Sequence, residues 1–192
     1  MTFIGRRFEL REKTRDAHER LDHAVGKFAT LDEYRWYIAG LWSFRRLMDC
    51  RLRDVAWPSK WRWRPTPVSD VIAQDAADLG LVPTRPNEIA CYPKNSNALL
   101  GELYVLEGST LGARILRQRA ALLGLHEAYG ARHLWRMSHS SAWQSFLLLL
   151  DNACDFDIEE AAASANSVFA IALRCFEKER PPSPEEIQFD TA

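Results

Sequence analysis

The stretch 101–114, GELYVLEGSTLGAR, has the residue pattern of a helix, yet three of its residues are glycines. At about 100° per residue, Gly101, Val105, Gly108 and Gly112 fall on one helical face. Glycine inside a helix costs about 0.5–1 kcal/mol relative to alanine, so a stripe of glycines needs a compensating contact. The stripe therefore predicts that something touches bare backbone here, either a neighbouring helix or a flat ligand lying across the groove.

The rest of the chain also shows helical periodicity. A capping-box pattern, Thr30 to Glu33, precedes the second helical segment, and Asp157 with Glu160 opens the last one. The predicted helices cover residues 8–25, 32–55, 68–79, 97–123, 140–153 and 157–178, with loop at 57–67, a turn or short helical bridge at 126–130, and either a turn or an extended piece at 81–92.

No segment shows the Val/Ile/Thr-rich alternation of a sheet. The sequence predicts an all-α, single-domain helical bundle over residues 1–180, followed by a polar, Pro-rich tail at 181–192.

Composition favours a cytoplasmic protein with neither a nucleic-acid nor a membrane partner. The formal net charge of -1 gives no global attraction to polyanions. The N-terminus becomes charged within a few residues, without the apolar core of a secretion signal, and the longest apolar run, 146–150, is too short for a bilayer. Four scattered cysteines fit buried reduced thiols better than a metal or redox motif.

His18 is the first candidate for chemistry. On a helical wheel it aligns with Thr14, Leu21 and Val25, whereas His23 lies about 140° away and should face solvent or an edge. A lone histidine on an apolar face is more often a core residue, but neutral imidazole is also a common metal ligand. The glycine stripe favours the interpretation of His18 as a ligand, because an imidazole below a macrocycle and bare backbone above it would bracket a planar cofactor.

Two segments carry a resemblance to a known family. TRDAHERLD (14–22) and YVLEGSTLGA (104–113) together resemble the haem oxygenases, closest to the bacterial branch that serves iron acquisition or supplies bilin to bacterial phytochromes. GARHL (130–134) and ANSVFAIALRCFEKE (165–179) are also similar to that branch, so the resemblance covers nearly the whole chain. The first segment is weak alone, but the order and spacing of the two make a strong signal.

The resemblance implies haem held between a proximal and a distal helix, as both cofactor and substrate. His18 matches the proximal iron ligand, and Gly108 and Gly112 match the distal glycines. The implied activity is oxidative cleavage of haem to biliverdin, releasing carbon monoxide and ferrous iron. It would use dioxygen and electrons from a ferredoxin or flavin-type reductase, since no flavin or nicotinamide motif is visible. A bacterial phytochrome is an implied bilin acceptor.

Ser109 is a departure from the animal-type pattern, which carries Asp directly after the first distal glycine. A serine hydroxyl hydrogen-bonds water but cannot act as a carboxylate, so proton delivery would depend on an ordered water chain. The alternative is a small residue admitted for close packing.

The resemblance also implies basic residues that hold the haem propionates. Arg11, two turns before His18 on the same face, matches a basic family position, and Arg117 or Arg119 could reach a propionate from the glycine-striped helix. Each could equally be a solvated surface charge. The helix at 140–153 contains no Lys or Arg, which leaves the propionate clamp and the site of ring opening undetermined.

Weaker candidates complete the predicted site. Tyr104 could present its hydroxyl to a propionate or simply pack, and Phe169 could line the ring edge or belong to the core. The three later histidines lack the spacing and carboxylate company of a zinc or di-iron site; they are His126, His133 and His139.

Two alternative functions stay open at this point. A non-catalytic haem-binding or haem-carrier protein would keep the same fold and pocket without turnover. A related bundle acting on another small molecule, such as a thiaminase-like enzyme, would want a nucleophilic cysteine with carboxylates facing a cavity, and the sequence shows no such group.

Overall fold

A computed structural model of the chain describes residues 5–82 and 93–179, and helices account for most of them. In chain order they are α1 (Arg6–Val25), α2 (Leu31–Arg53), α3 (Ser69–Asp78), α4 (Ser96–Leu122), α5 (Arg132–Ser138), α6 (Ala142–Asp151) and α7 (Ile158–Glu179). Over these two ranges no β-strand occurs, and the only β-type pairing is an isolated bridge pattern in the turn at 126–130. The all-α prediction is confirmed. The predicted 181–192 tail and most of the 81–92 segment lie outside the described residues.

Local signals place most helix ends within two residues of their predicted positions. The Thr30 hydroxyl accepts from the Glu33 amide, and the Glu33 carboxylate accepts in return from the Thr30 amide, so the predicted capping box is present. Asp157 Oδ1 accepts from the amides of Glu159 and Glu160 at the start of α7. These caps satisfy amides that have no partner within the helix itself.

Helix α5 was not predicted, because its first turn is held by a residue from another helix. The Asp75 carboxylate of α3 accepts from the backbone amides of Arg132 and His133, each at 3.0 Å. Asp75 therefore caps α5 across the fold. A cap supplied from a position more than fifty residues away leaves no local signal in the sequence.

Helix α7 lies at the centre of the packing and contacts α1, α2 and α4. The closest approach is at Gly101 of α4, where an added Cβ would overlap the backbone carbonyl of Ala161. The core has two parts. One surrounds Leu103 and Phe146, and the other surrounds Tyr34 and Ile72.

Helices α1 and α4 begin near the start of α7 and run along it in the same direction. Early in α1, Lys13 pairs with Glu159, and further along, His18 meets Phe169. Early in α4, the Asn97 amide contacts Glu160, and the later part of α4 shares the second core region with the end of α7. The two helices thus form neighbouring walls above α7. Among the described helices, none has the length and apolar character needed to cross a bilayer.

Candidate functional site

The groove between α1 and α4 is closed at one end by a contact between the two helices. The Tyr104 hydroxyl of α4 lies beside Thr14 and Arg11 of α1. Burial raises the pKa of Tyr104, and the Thr14 hydroxyl and the Arg11 charge partly offset that effect. His18 and Gly108 each lie one helical turn beyond this contact on helices that run in the same direction. His18 and the glycine face of α4 therefore remain candidates for the two walls of one site.

His18 has an accessible ring. Its side chain is 58% exposed, and its ring meets the buried Phe169 edge-on at a centroid distance of 5.5 Å. Nδ1 lies 3.0 Å from Asp22 Oδ2. A carboxylate at Nδ1 favours the tautomer with the proton on that nitrogen, which leaves Nε2 with a lone pair to offer a ligand. The ring is not a core side chain, so the core interpretation of His18 is wrong.

The glycines of α4 differ in what surrounds them. A Cβ built at Gly108 would lie 3.7 Å from the Trp143 ring, an ordinary van der Waals contact. Apart from its chain neighbours and the nearby backbone of α4, no atom of the described residues lies within 4 Å of a Cβ built at Gly112. Gly101, in contrast, is the contact point with α7. The neighbouring-helix explanation therefore applies at Gly101, whereas Gly112 faces open space, where the flat-ligand explanation stays a prediction.

The hydroxyls between the distal glycines are turned toward their own helix. Ser109 Oγ donates to the Leu106 carbonyl at 2.6 Å, and Thr110 Oγ1 donates to the Glu107 carbonyl at 2.6 Å. Each oxygen keeps lone pairs that can accept a hydrogen bond from water. Ser109 is exposed, so its oxygen is open to solvent in this geometry.

The predicted arginines take different positions. Arg11 is exposed at the closed end of the groove. Arg117 turns toward α5, where its Nη1 lies 3.3 Å from Ser138 Oγ and its guanidinium stacks over the Trp135 ring at 5.0 Å. Arg119 lies seven residues beyond Gly112, on the same helical face, and is partly exposed.

Two residues of this region were not found from the sequence. Asp22 follows His18 by four residues, and this His-x₃-Asp spacing was a usable signal because it places both side chains on one helical face. Trp143 of α6 lines the groove beside Gly108, lies 5.9 Å from the Tyr104 ring, and stacks on Phe146 at 5.6 Å. Its role depends on how α6 packs, which no local pattern reveals.

The opposite face of α4 carries a separate polar cleft of about 240 Å³, lined in part by Arg45, Glu107 and Thr110. The Arg45 side chain is only 4% exposed; its Nη1 donates to the Leu106 carbonyl at 3.3 Å and its Nη2 lies 3.8 Å from Asp49. Burial raises the pKa of Glu107, and the neighbouring Arg45 charge opposes that shift. On a helical wheel this face lies away from Gly108, so the cleft is not part of the groove.

A second histidine–aspartate pair is buried in the core. His133 is fully buried, with Nδ1 2.8 Å from Asp75 Oδ2. Burial acts to raise the pKa of Asp75, but hydrogen bonds from His133 and Arg132 hold it below its usual value. This pair joins α3 to α5, so His133 stabilises the fold. It is buried, whereas His18 is exposed.

Comparison with known proteins relates both the sequence and the fold of this chain to proteins of known function. No protein-family profile matches the chain. Heme oxygenase PigA of Pseudomonas aeruginosa is 33% identical over 165 residues, which cover 81% of this chain and 83% of that protein. The fold also matches the crystal structures of NO- and CO-bound heme oxygenase from Neisseria meningitidis, with a TM-score of 0.71, 26% sequence identity and 92% of each chain covered.

The fold and the groove thus define a helical protein of the haem oxygenase type. The chain belongs to the haem oxygenase family, in its bacterial part, and the family resemblance of its sequence is confirmed.

Proposed function

We infer that this protein is a haem oxygenase, which opens haem to biliverdin and releases carbon monoxide and ferrous iron. Membership of the family supports the activity. Two observations support it: the imidazole of His18 is accessible and held by Asp22, and α4 has an open face without side chains at Gly108 and Gly112. We propose that these two surfaces bracket the haem. No contact within the described residues favours a non-catalytic haem carrier.

The residues of the groove fit a flat iron-containing ligand. His18 Nε2 would hold the iron, and Asp22 would fix the ring orientation from Nδ1. A Cβ at Gly112 would meet only open space, so this face has room for a flat ligand. When bound, haem supplies both the iron at which dioxygen is activated and the ring that is cleaved.

The remaining residues would orient the ligand and manage water. Arg11 and the Tyr104 hydroxyl, together at the closed end, are placed to receive a propionate, and Arg119 is the basic residue on the glycine face at the far end. Arg117 would reach a propionate only after breaking its contacts with Ser138 and Trp135. Phe169 would support the underside of the His18 ring.

Proton delivery is assigned to water rather than to a side-chain acid. Ser109 Oγ is committed as a donor to the Leu106 carbonyl, so it would act toward water as an acceptor and hold one in place beside Gly108. A serine in this position would orient a water chain without supplying a proton of its own.

The electron donor and the product acceptor belong to the same proposal. Dioxygen and an external reductase, of the ferredoxin or flavin type, would complete the reaction. Delivery of bilin to a bacterial phytochrome and a cytoplasmic location stay predictions from the sequence.

Haem coordination tests the ligand assignment. Hemin added to wild-type protein should give a Soret band, which bleaches to a bilin spectrum once ascorbate is added under oxygen. His18→Ala should lose the Soret band of the coordinated form, whereas the exposed His23→Ala serves as the matched control and should keep it. A coordinated spectrum in His18→Ala would contradict the assignment, and a stable band in the wild type would identify a carrier.

The open face at Gly112 is tested by filling it. Gly112→Leu should bind haem weakly and turn it over at least about tenfold more slowly, because the side chain occupies the space above the ring. Gln118→Leu, at an exposed position of the same helix, is the matched control and should behave as the wild type. Equal turnover in the two leucine variants would show that haem does not lie against Gly112.

A further inference from the structure

A basic and aromatic surface lies in the connection between α2 and α3, outside the groove. We define the tryptophan loop as residues 57–64, WPSKWRWR, which contain Lys60, Arg62 and Arg64 and no acidic residue. Lys60, Arg62 and Arg64 are exposed, and within the described residues none of them forms an ion pair. A chain of net charge -1 therefore carries a local cluster of three positive charges that no acidic side chain of the described part of the chain pairs.

The tryptophan loop is held in one shape although it has no regular secondary structure. Arg64 Nη1 donates to the carbonyl of Trp63 at 2.8 Å and also to that of Trp61, while its guanidinium lies over the Trp57 ring at 4.6 Å. The Trp61 amide donates to the Pro58 carbonyl at 3.0 Å. Arg64 thus organises the loop from within, and Lys60 and Arg62 remain free on either side of Trp61. A preorganised surface loses less entropy when it binds a partner.

The tryptophan loop is continuous with the wall of the groove. The Trp63 ring lies 6.3 Å from Phe146, which stacks on Trp143 at 5.6 Å, and Trp143 is the ring beside Gly108. Only one buried ring, that of Phe146, separates Trp63 from the side chain that lines the groove. A protein seated on this loop would stand next to the groove wall rather than at a remote surface.

We propose that the tryptophan loop is the docking surface for a small acidic one-electron carrier protein, of the ferredoxin kind. This inference rests on the proposed function, which requires electrons from outside the chain. Interfaces are enriched in Arg, and electron-transfer interfaces are small, which suits a loop of this size whose tryptophans hold its shape while Arg62 is exposed. The charge of Lys60 and Arg62 would steer an acidic partner to the surface.

The loop fits a protein better than a nucleic acid or a membrane surface. All three tryptophans are partly buried and pack against the core, so they do not offer free ring faces for stacking bases. The loop is not an amphipathic helix, and the chain as a whole has no positive field that would hold it on a polyanion.

Charge reversal tests the docking surface. The double variant Lys60→Glu/Arg62→Glu is compared with the wild type and with Arg174→Glu/Lys178→Glu, which makes the same charge change at exposed positions of α7. The probe is a reduced acidic plant-type [2Fe–2S] ferredoxin, with haem reduction followed by stopped-flow absorbance. We expect the loop variant to be reduced about tenfold more slowly at low salt, with the difference shrinking as salt screens the charges. Equal rates in the two double variants would overturn the proposal.

Two further measurements separate this proposal from the proposed function. Turnover driven by ascorbate, which needs no docking, should be the same in all three proteins, and its absence from the wild type would contradict the oxygenase activity instead. Titration of haem-free protein with ferredoxin should show weaker binding only for the loop variant, which tests docking without turnover. A short DNA duplex that binds the wild type more tightly than ferredoxin, and loses affinity in the loop variant, would contradict a protein partner.

Discussion

The two halves of α4 differ in almost every respect, although both carry glycine on the same face. From Ala98 to Glu107 every residue except Tyr104 is buried, whereas from Gly108 to Arg119 only Ala113 is buried. The first half packs against α7, and the second half is mostly open to solvent, where we propose that it forms one wall of the haem site. Because Gly101 has no side chain, the backbones of α4 and α7 can touch there. At Gly112 the lack of a side chain leaves the space beside α4 open.

This difference shows that one residue type at one helical spacing serves two physical purposes. In the first half, the missing side chain lets the backbone of α7 come close. In the second half, the missing side chain leaves open space beside the helix. Substitution by alanine should therefore have opposite signs at the two ends of the same stripe.

The largest effect is expected from Gly101→Ala. The added methyl would overlap the Ala161 carbonyl, and since that atom is backbone, α4 and α7 must move apart. Overpacking of a core costs about 1–3 kcal/mol and occasionally more, so we expect a loss of about 3 kcal/mol in the free energy of unfolding, measured by urea titration. A stability equal to that of the wild type would mean that the two helices do not touch at this point.

A smaller loss is expected from Ala113→Leu, directly after Gly112. Ala113 is 1% exposed and belongs to the second core region, so the larger side chain has no room. We expect a loss of about 2 kcal/mol in the same titration. Gln118→Leu again provides the exposed control, and a neutral Ala113→Leu would show that the open half of α4 has no packed side.

The smallest effect, of opposite sign, is expected from Gly112→Ala. No atom lies within 4 Å of the new methyl group beyond the helix itself, so the substitution only improves helix propensity and restricts the unfolded chain. We expect haem-free protein to gain about 0.5–1 kcal/mol in unfolding free energy. A loss of stability would contradict the distinction between the two halves of the helix.

The sequence predicted α2 and α7 from caps supplied by their own residues, and α1, α3 and α6 from periodicity without any side-chain cap, but it missed α5, whose cap comes from another helix. Thr30 with Glu33, and Asp157 with the amides that follow it, are local patterns, so α2 and α7 could be placed. Helix α5 depends on Asp75, and no local pattern shows that.

The sequence also indicated some features of the candidate site and missed others. A helical wheel correctly grouped Gly101 with Gly112 but could not tell a packed glycine from an open one, because the neighbour of each is set by tertiary packing. The sequence also gave Arg117 and Arg119, both C-terminal to the distal glycines, as equal alternatives for a propionate. Their surroundings differ because Trp135 and Ser138 of α5, a helix that was not predicted, engage Arg117.

The small side chains of α7 have a consequence for ligand choice. Helices α1 and α4 both rest on α7, which presents buried alanines at 161, 162 and 165 on its packed faces. Where Ala161 meets Gly101, the absence of a large side chain lets α4 lie directly on α7. If haem binds as proposed, residues that never touch it would help to fix the position of the wall above it.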